Sequence, residues 1–232
     1  MADHKGQYMM KCSLSLSSVL FFIISLFPAP SSAGGESDRL LADLTKPSWQ
    51  SFLASPEWMA QHKDDASVAN LSSLIFNRGI HWKIRIRVLQ LLGETLNPKG
   101  IGPLAEMLTD PVVNSDCPAL KWNSAFALGN FRHSLAAGKA LLSALAREDN
   151  TVVREAIIDS LGRIGDSQAL PALVPLLRDR SFAIRLSAIK AIGEIGGEGA
   201  VASLKIVLDT DSDPHIKNEA KAVLKRLGGA RS

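Results

Sequence analysis

Residues 152–177 read VVREAIIDSLGRIGDSQALPALVPLL, and residues 183–208 nearly repeat them as AIRLSAIKAIGEIGGEGAVASLKIVL. In register, Val153, Arg154, Leu161, Gly162, Ile164, Gly165, Ala169, Leu173 and Leu177 match Ile184, Arg185, Ile192, Gly193, Ile195, Gly196, Ala200, Leu204 and Leu208, always 31 positions on. Upstream, Ile84, Arg85, Leu92, Gly93, Ile101, Leu104 and Leu108 fill the same slots, as do Leu120, Lys121, Leu128, Gly129, Leu141 and Leu145. A tandem period in the thirties with helical patterning marks a repeat array.

The patterning explains why one copy is not enough. Each half of a unit has apolar residues three or four apart, the spacing of a buried helical face. In the first helix the apolar arc is wider: Ile157, Ile158 and Leu161 point in different directions, as do Ala188, Ile189 and Ile192. Such a helix must be covered on several sides, and stacked hairpins do this by burying one another's flanks. The fold class that follows is all-α, an α-α superhelix of about four helical-hairpin repeats with helical caps. A glycine recurs inside the first helix at 93, 129, 162 and 193, where it costs ~1 kcal/mol against alanine. Four in register point to close backbone approach between neighbours. Gly165 and Gly196 stand where a left-handed residue ends the first helix, with Asp166 placed to cap the second. Asn97-Pro98 does the equivalent in the earliest unit. Pro171 suits a first turn, whereas Pro175 should kink its helix.

The Val-Arg start, the Leu-Gly-x-Ile-Gly-Asp turn and the Ala-Leu-Pro-Ala-Leu second helix resemble HEAT repeats, specifically the short HEAT-like type named after phycobilisome lyases. The resemblance spans about residues 77–228. It implies an α-solenoid with first helices outside and second helices lining the inner face. The unit around Trp122 departs from the pattern, with Phe131 and His133 in the turn and a longer approach, DPVVNSDCPALK.

The chain divides accordingly. Residues 1–33 carry Lys5 and Lys11, then an apolar run, then Ser31 and Ala33, the order of a secretory signal peptide. The densest apolar part, 19–27, is far shorter than the ~20 residues that span a bilayer. A secreted or periplasmic location is therefore expected, with an anchor formed by an uncleaved signal as the alternative, and no membrane span after cleavage. Residues 34–76 are expected to form an irregular helical N-terminal cap, with Trp49, Phe52, Trp58 and Phe76 packing there or forming an aromatic binding knob. Residues 77–232 hold the array, closed by a C-terminal capping helix whose Lys217, Lys221, Lys225 and Arg226 point outward. The mature chain would keep one cysteine, Cys117, either a small buried hydrophobe or an intermolecular disulfide partner.

Chemistry is sparse. Net charge is +3 over 232 residues, short of the dense basic face that nucleic acid requires. The column Arg85, Lys121, Arg154, Arg185 and Lys217 is expected to pair with Asp116, Asp149, Asp179 and Asp213, which precede its members. No histidine is followed by glutamate, a dipeptide that some helical-repeat metalloenzymes use on successive repeats to hold iron. His62, His81, His133 and His215 read as surface or helix-end residues. No phosphate loop, nucleophile elbow or carboxylate dyad is present. No catalytic, cofactor or metal residues are assigned. If Leu104, Leu141, Leu173 and Leu204 face the core, then Glu106, Ser143, Pro175 and Ile206 form an exposed row suited to a polypeptide. The expected function is an exported, non-enzymatic interaction scaffold presenting its curved surface to a protein or peptide partner. The alternative is an enzyme or enzyme subunit of the phycobilin-lyase-like type.

Overall fold

The computed structural model describes residues 35–111 and 118–229; the expected signal segment and Cys117 lie outside the described residues. All regular structure among them is helical. α1 (Glu36–Thr45), α2 (Gln50–Leu53), α3 (Pro56–Gln61) and α4 (Asp65–Phe76) precede the repeats. Four hairpins follow: α5 (Trp82–Glu94) with α6 (Ile101–Thr109), α7 (Pro118–Leu128) with α8 (Leu135–Leu145), α9 (Thr151–Ile164) with α10 (Leu170–Leu173), and α11 (Phe182–Ile195) with α12 (Gly197–Thr210). α13 (Pro214–Gly229) closes the stack alone. No described helix is long and apolar enough to cross a membrane.

Local signals set the ends. Asn150 accepts from the amides of Val152 and Val153, Ser181 from Ile184, Ser134 from Ala137, and His81 Nδ1 from Lys83. Each satisfies an amide that the first turn would otherwise leave unpaired. Gly165 ends α9 at φ 74°, and Asp166 accepts from the Gln168 amide. In the divergent unit His133 takes over the left-handed turn at φ 59°, and its amide bonds the Ile164 carbonyl of the next repeat at 2.9 Å. Pro175 has the expected effect: after Leu173 the second helix tightens into a 3-10 stretch, Val174–Arg178.

One core runs the length of the array. Ile157, Ile158 and Leu161 are all buried, because α9 is flanked by α7, α8 and α11. At the N-terminal end Leu40, Leu44, Leu71 and Ile75 extend the same core. Trp49, Trp58 and Phe76 are partly buried against it, and Phe52 stacks on Trp58 at 5.2 Å. Arg87 of α5 donates to the Leu44 carbonyl and lies over the Trp49 ring at 5.1 Å, fastening α1 to the first repeat.

The two layers differ in spacing. First helices pack along one another, and the glycine column is where they come closest. A Cβ on Gly93 would lie 2.8 Å from the Ala127 Cα, and one on Gly162 would lie 2.7 Å from the Ala191 Cα. Second helices beyond α6 and α8 barely meet; the 3-10 stretch leans on α11 instead.

The basic column pairs differently from expectation. Lys121 bonds Glu148, Arg154 meets Asp179 at 3.1 Å, and Arg185 meets Asp211 at 2.9 Å. Each acid follows its partner and sits where the chain leaves the second helix, so the pair clamps its own hairpin shut. Burial opposes ionisation of Asp179, but the Ser181 amide and Arg154 outweigh it and hold the carboxyl below its ordinary value. Arg85 is 7% exposed and donates from Nε to the Ile75 carbonyl at 2.6 Å, tying the first repeat to the cap.

Two substitutions test this packing with opposite signs. Gly162→Ala should destabilise by about 1–3 kcal/mol, since a main-chain atom must move. Gly102→Ala, in open space on α6, should stabilise by about 0.5–1 kcal/mol. Chemical denaturation reads both, and equal gains would remove the close-approach explanation. Arg154→Ala should cost about 1–2 kcal/mol through the lost clamp and packing, with an unchanged denaturation midpoint as the contrary result.

Candidate functional site on the first-helix face

Glu106, Ser143, Pro175 and Ile206 are all exposed on the second-helix layer. Pro175 and Ile206 share a hollow of about 400 Å³ with Val174, Leu177, Ser203 and Val207, between the 3-10 stretch and α12. Glu106 and Ser143 lie outside it, and the Ser143 hydroxyl is engaged by Arg147 at 2.7 Å.

The opposite layer carries a hollow that spans three repeats. Its floor is α9, through Val152, Glu155, Ala156, Asp159 and Arg163; Trp122 and Phe126 of α7 form one wall, and Lys190, Ala191 and Glu194 of α11 the other. The cavity is about 380 Å³. A single concavity over three successive helices requires the middle one to be recessed, as the close first-helix spacing makes it. Trp122 and Phe126, four apart on one face, stack at 5.6 Å with 15° between ring planes. Phe126 remains 42% exposed. Arg163 sits 4.1 Å over its ring and donates to the Phe126 carbonyl at 3.0 Å and to Ser160 Oγ at 2.9 Å. These bonds hold the aromatic wall rigid.

A polar column runs beside this wall. Nine positions after each member of the basic column stand Glu94, Asn130, Arg163, Glu194 and Arg226. Asn130 donates to Glu94 Oε1 at 3.0 Å and accepts from Arg163 Nη1 at 3.3 Å, linking three repeats. Burial, then Asp159, push the Glu194 carboxyl above its ordinary pKa, against the pull of Arg163, Arg226 and Arg132. Burial lowers the Arg163 pKa.

Among the described residues no group of three or more His, Cys, Asp or Glu side chains is placed to hold a metal ion. His81 caps α5, His62 stacks on Trp58 at 3.9 Å, and His133 and His215 are exposed.

Sequence reasoning missed the aromatic wall because it sought the surface on the second helices. A signal existed. Slots that repeat among the units, such as Leu128, Leu161 and Ile192, are buried. Slots that change their chemistry, Phe126–Asp159–Lys190 and Asn130–Arg163–Glu194, line or border the hollow.

A family model described as HEAT repeats matches residues 138–225. Among curated proteins, deoxyhypusine hydroxylase-B of Oryza sativa subsp. japonica is 30% identical over 123 residues, 52% of this chain and 40% of that protein. Deoxyhypusine hydroxylase of Arabidopsis thaliana is 30% identical over 127 residues, 53% of this chain and 40% of that protein. The chain thus spans about two-fifths of the length of these relatives. Among solved structures, the CpcE–CpcF complex of phycocyanin lyase from Nostoc sp. PCC7120 is similar with a TM-score of 0.52 and 19% identity, covering 91% of this chain and 82% of that one. A designed armadillo repeat protein in complex with the peptide (KR)4 gives a TM-score of 0.54 and 16% identity, covering 83% and 100%. These two likenesses concern the fold. The relatives named as hydroxylases overturn the expectation of a non-enzymatic protein: absence of a familiar catalytic motif in a repeat array does not exclude similarity to enzymes. With the repeat match and the fold in agreement, this chain carries HEAT repeats over residues 138–225 within an all-helical repeat array.

Proposed function

We propose that this chain is the polypeptide-holding repeat array of an enzyme or enzyme complex, with the polypeptide lying in the hollow of the first helices. The observation that carries the reading is the Trp122–Phe126 wall, exposed at the edge of a cavity that crosses three repeats. Aromatic and arginine side chains dominate the energetics of protein contacts. Here the arginine is already bonded in place, so little ordering is left for the moment of binding. Acidic and basic groups around the wall, Glu155, Asp159 and Glu194 with Lys190, suit a chain of mixed polarity. Kinship with hydroxylases supports the enzymatic setting, and the likeness to a peptide-bound designed repeat protein supports the mode of binding. On the signal-like pattern of residues 1–33, the partner is met after export; N-terminal sequencing of the recovered chain tests this, with a start near Gly34 expected.

The second-helix row is the competing surface, favoured by the apolar hollow under Ile206, which is 49% exposed. Affinity capture with paired variants separates the two. Phe126→Ala should weaken partner retention by about tenfold or more, the scale of an aromatic anchor, and leave the thermal midpoint nearly unchanged. Ile206→Asp should leave retention intact. The reverse pattern would move the binding surface to the second helices.

A further inference from the structure

Beside the aromatic hollow lies a cavity of about 520 Å³ at the carboxyl ends of α9 and α11. Arg132, His133, Arg163 and Arg226 line it together with Glu194 and the main chain at Gly162, Gly165 and Gly193. Three guanidinium groups thus converge around one carboxylate. Arg163 is committed to Asn130, Ser160 and the Phe126 carbonyl. The guanidinium groups of Arg132 and Arg226 make no hydrogen bond or ion pair with any described residue. Glu194 offsets these charges from within the cavity, and Asp159 and Glu94 act on Arg163 from beside it.

We propose that this cavity is an oxyanion site for a phosphate group, presented by a phosphorylated side chain or by free phosphate. Planar guanidinium forks match tetrahedral oxyanions bidentately, and Arg132 and Arg226, which act on Glu194 by charge, bring such forks to the cavity from two different elements. A phosphate dianion, with three oxygens able to accept from several forks at once, uses this arrangement more fully than a carboxylate does. Arg132 comes from the turn after α7 and Arg226 from α13, so the lining is drawn from four successive units of the stack. The phosphorylated-side-chain source rests on the polypeptide reading above, because the two cavities share Arg163 and Glu194. The anion site itself stands without it.

Titration of the full chain with inorganic phosphate, O-phosphoserine and acetate, followed by calorimetry, provides the test on free protein with no partner present. Phosphate should bind in the millimolar range or tighter, and acetate about tenfold more weakly. Arg132→Gln and Arg226→Gln, both at exposed positions, should each weaken phosphate about tenfold, the scale of one charge-assisted contact. Arg226→Lys should retain part of the affinity, and Glu194→Gln should strengthen it by removing the competing carboxylate. Phosphoserine binding at least as tight as phosphate assigns the side-chain source; phosphate alone assigns the free ion. Absence of phosphate binding, equal affinity for acetate, or unchanged affinity in both arginine variants would overturn the site. Any of these results leaves partner capture by the Phe126 wall independently readable.

Discussion

Successive first helices approach closely at Gly93, Gly129, Gly162 and Gly193, against the neighbour's main chain at Gly93 and Gly162 and against its side chains at Gly129 and Gly193, and the rest of the molecule is arranged around that approach. Each glycine gives up about 1 kcal/mol of helix propensity. The return is burial of neighbours such as Ile157, Leu161 and Ile192 on flanks that would otherwise face water, at roughly 1.5–3 kcal/mol for each large apolar side chain. The same approach recesses α9 between α7 and α11, which creates the hollow. It also brings the slots one residue beyond the glycines within hydrogen-bonding reach, so that Glu94, Asn130 and Arg163 join across repeats.

Much of this was legible in the sequence. Periodicity disclosed the hairpins, the in-register glycines disclosed the close approach, and Asp166, Asn97 and Pro175 act locally as their chemistry dictates. These features depend on residues near one another in the chain. What was misread depends on how layers meet. Arg154 has acids on both sides in sequence, at Asp149 and Asp179, and only closure of the hairpin decides for Asp179. The closer spacing of the first helices is written in the glycine column, whereas apolar periodicity does not encode which exposed side chains, such as Trp122 and Phe126, converge on one hollow.

The likeness to the hydroxylases is 30% identity over about half of this chain and two-fifths of theirs. Within the repeats of this chain, the recurring slots such as Leu128, Leu161 and Ile192 are buried. Groups that determine chemistry sit in the variable slots, where this chain presents Trp122, Phe126, Arg163 and Glu194. Its own slots therefore define what it can hold.

The difference between the layers has a mechanical meaning. First helices locked at contact distance form a nearly inextensible edge, while the loosely meeting second helices and the proline-tightened Val174–Arg178 stretch form a compliant one. Flexure of such a strip pivots about its stiff edge. The gap beneath Ile206 would widen and narrow like the outer seam of a bellows, while the floor under Phe126 keeps its dimensions and acts as a fixed gauge for whatever rests there.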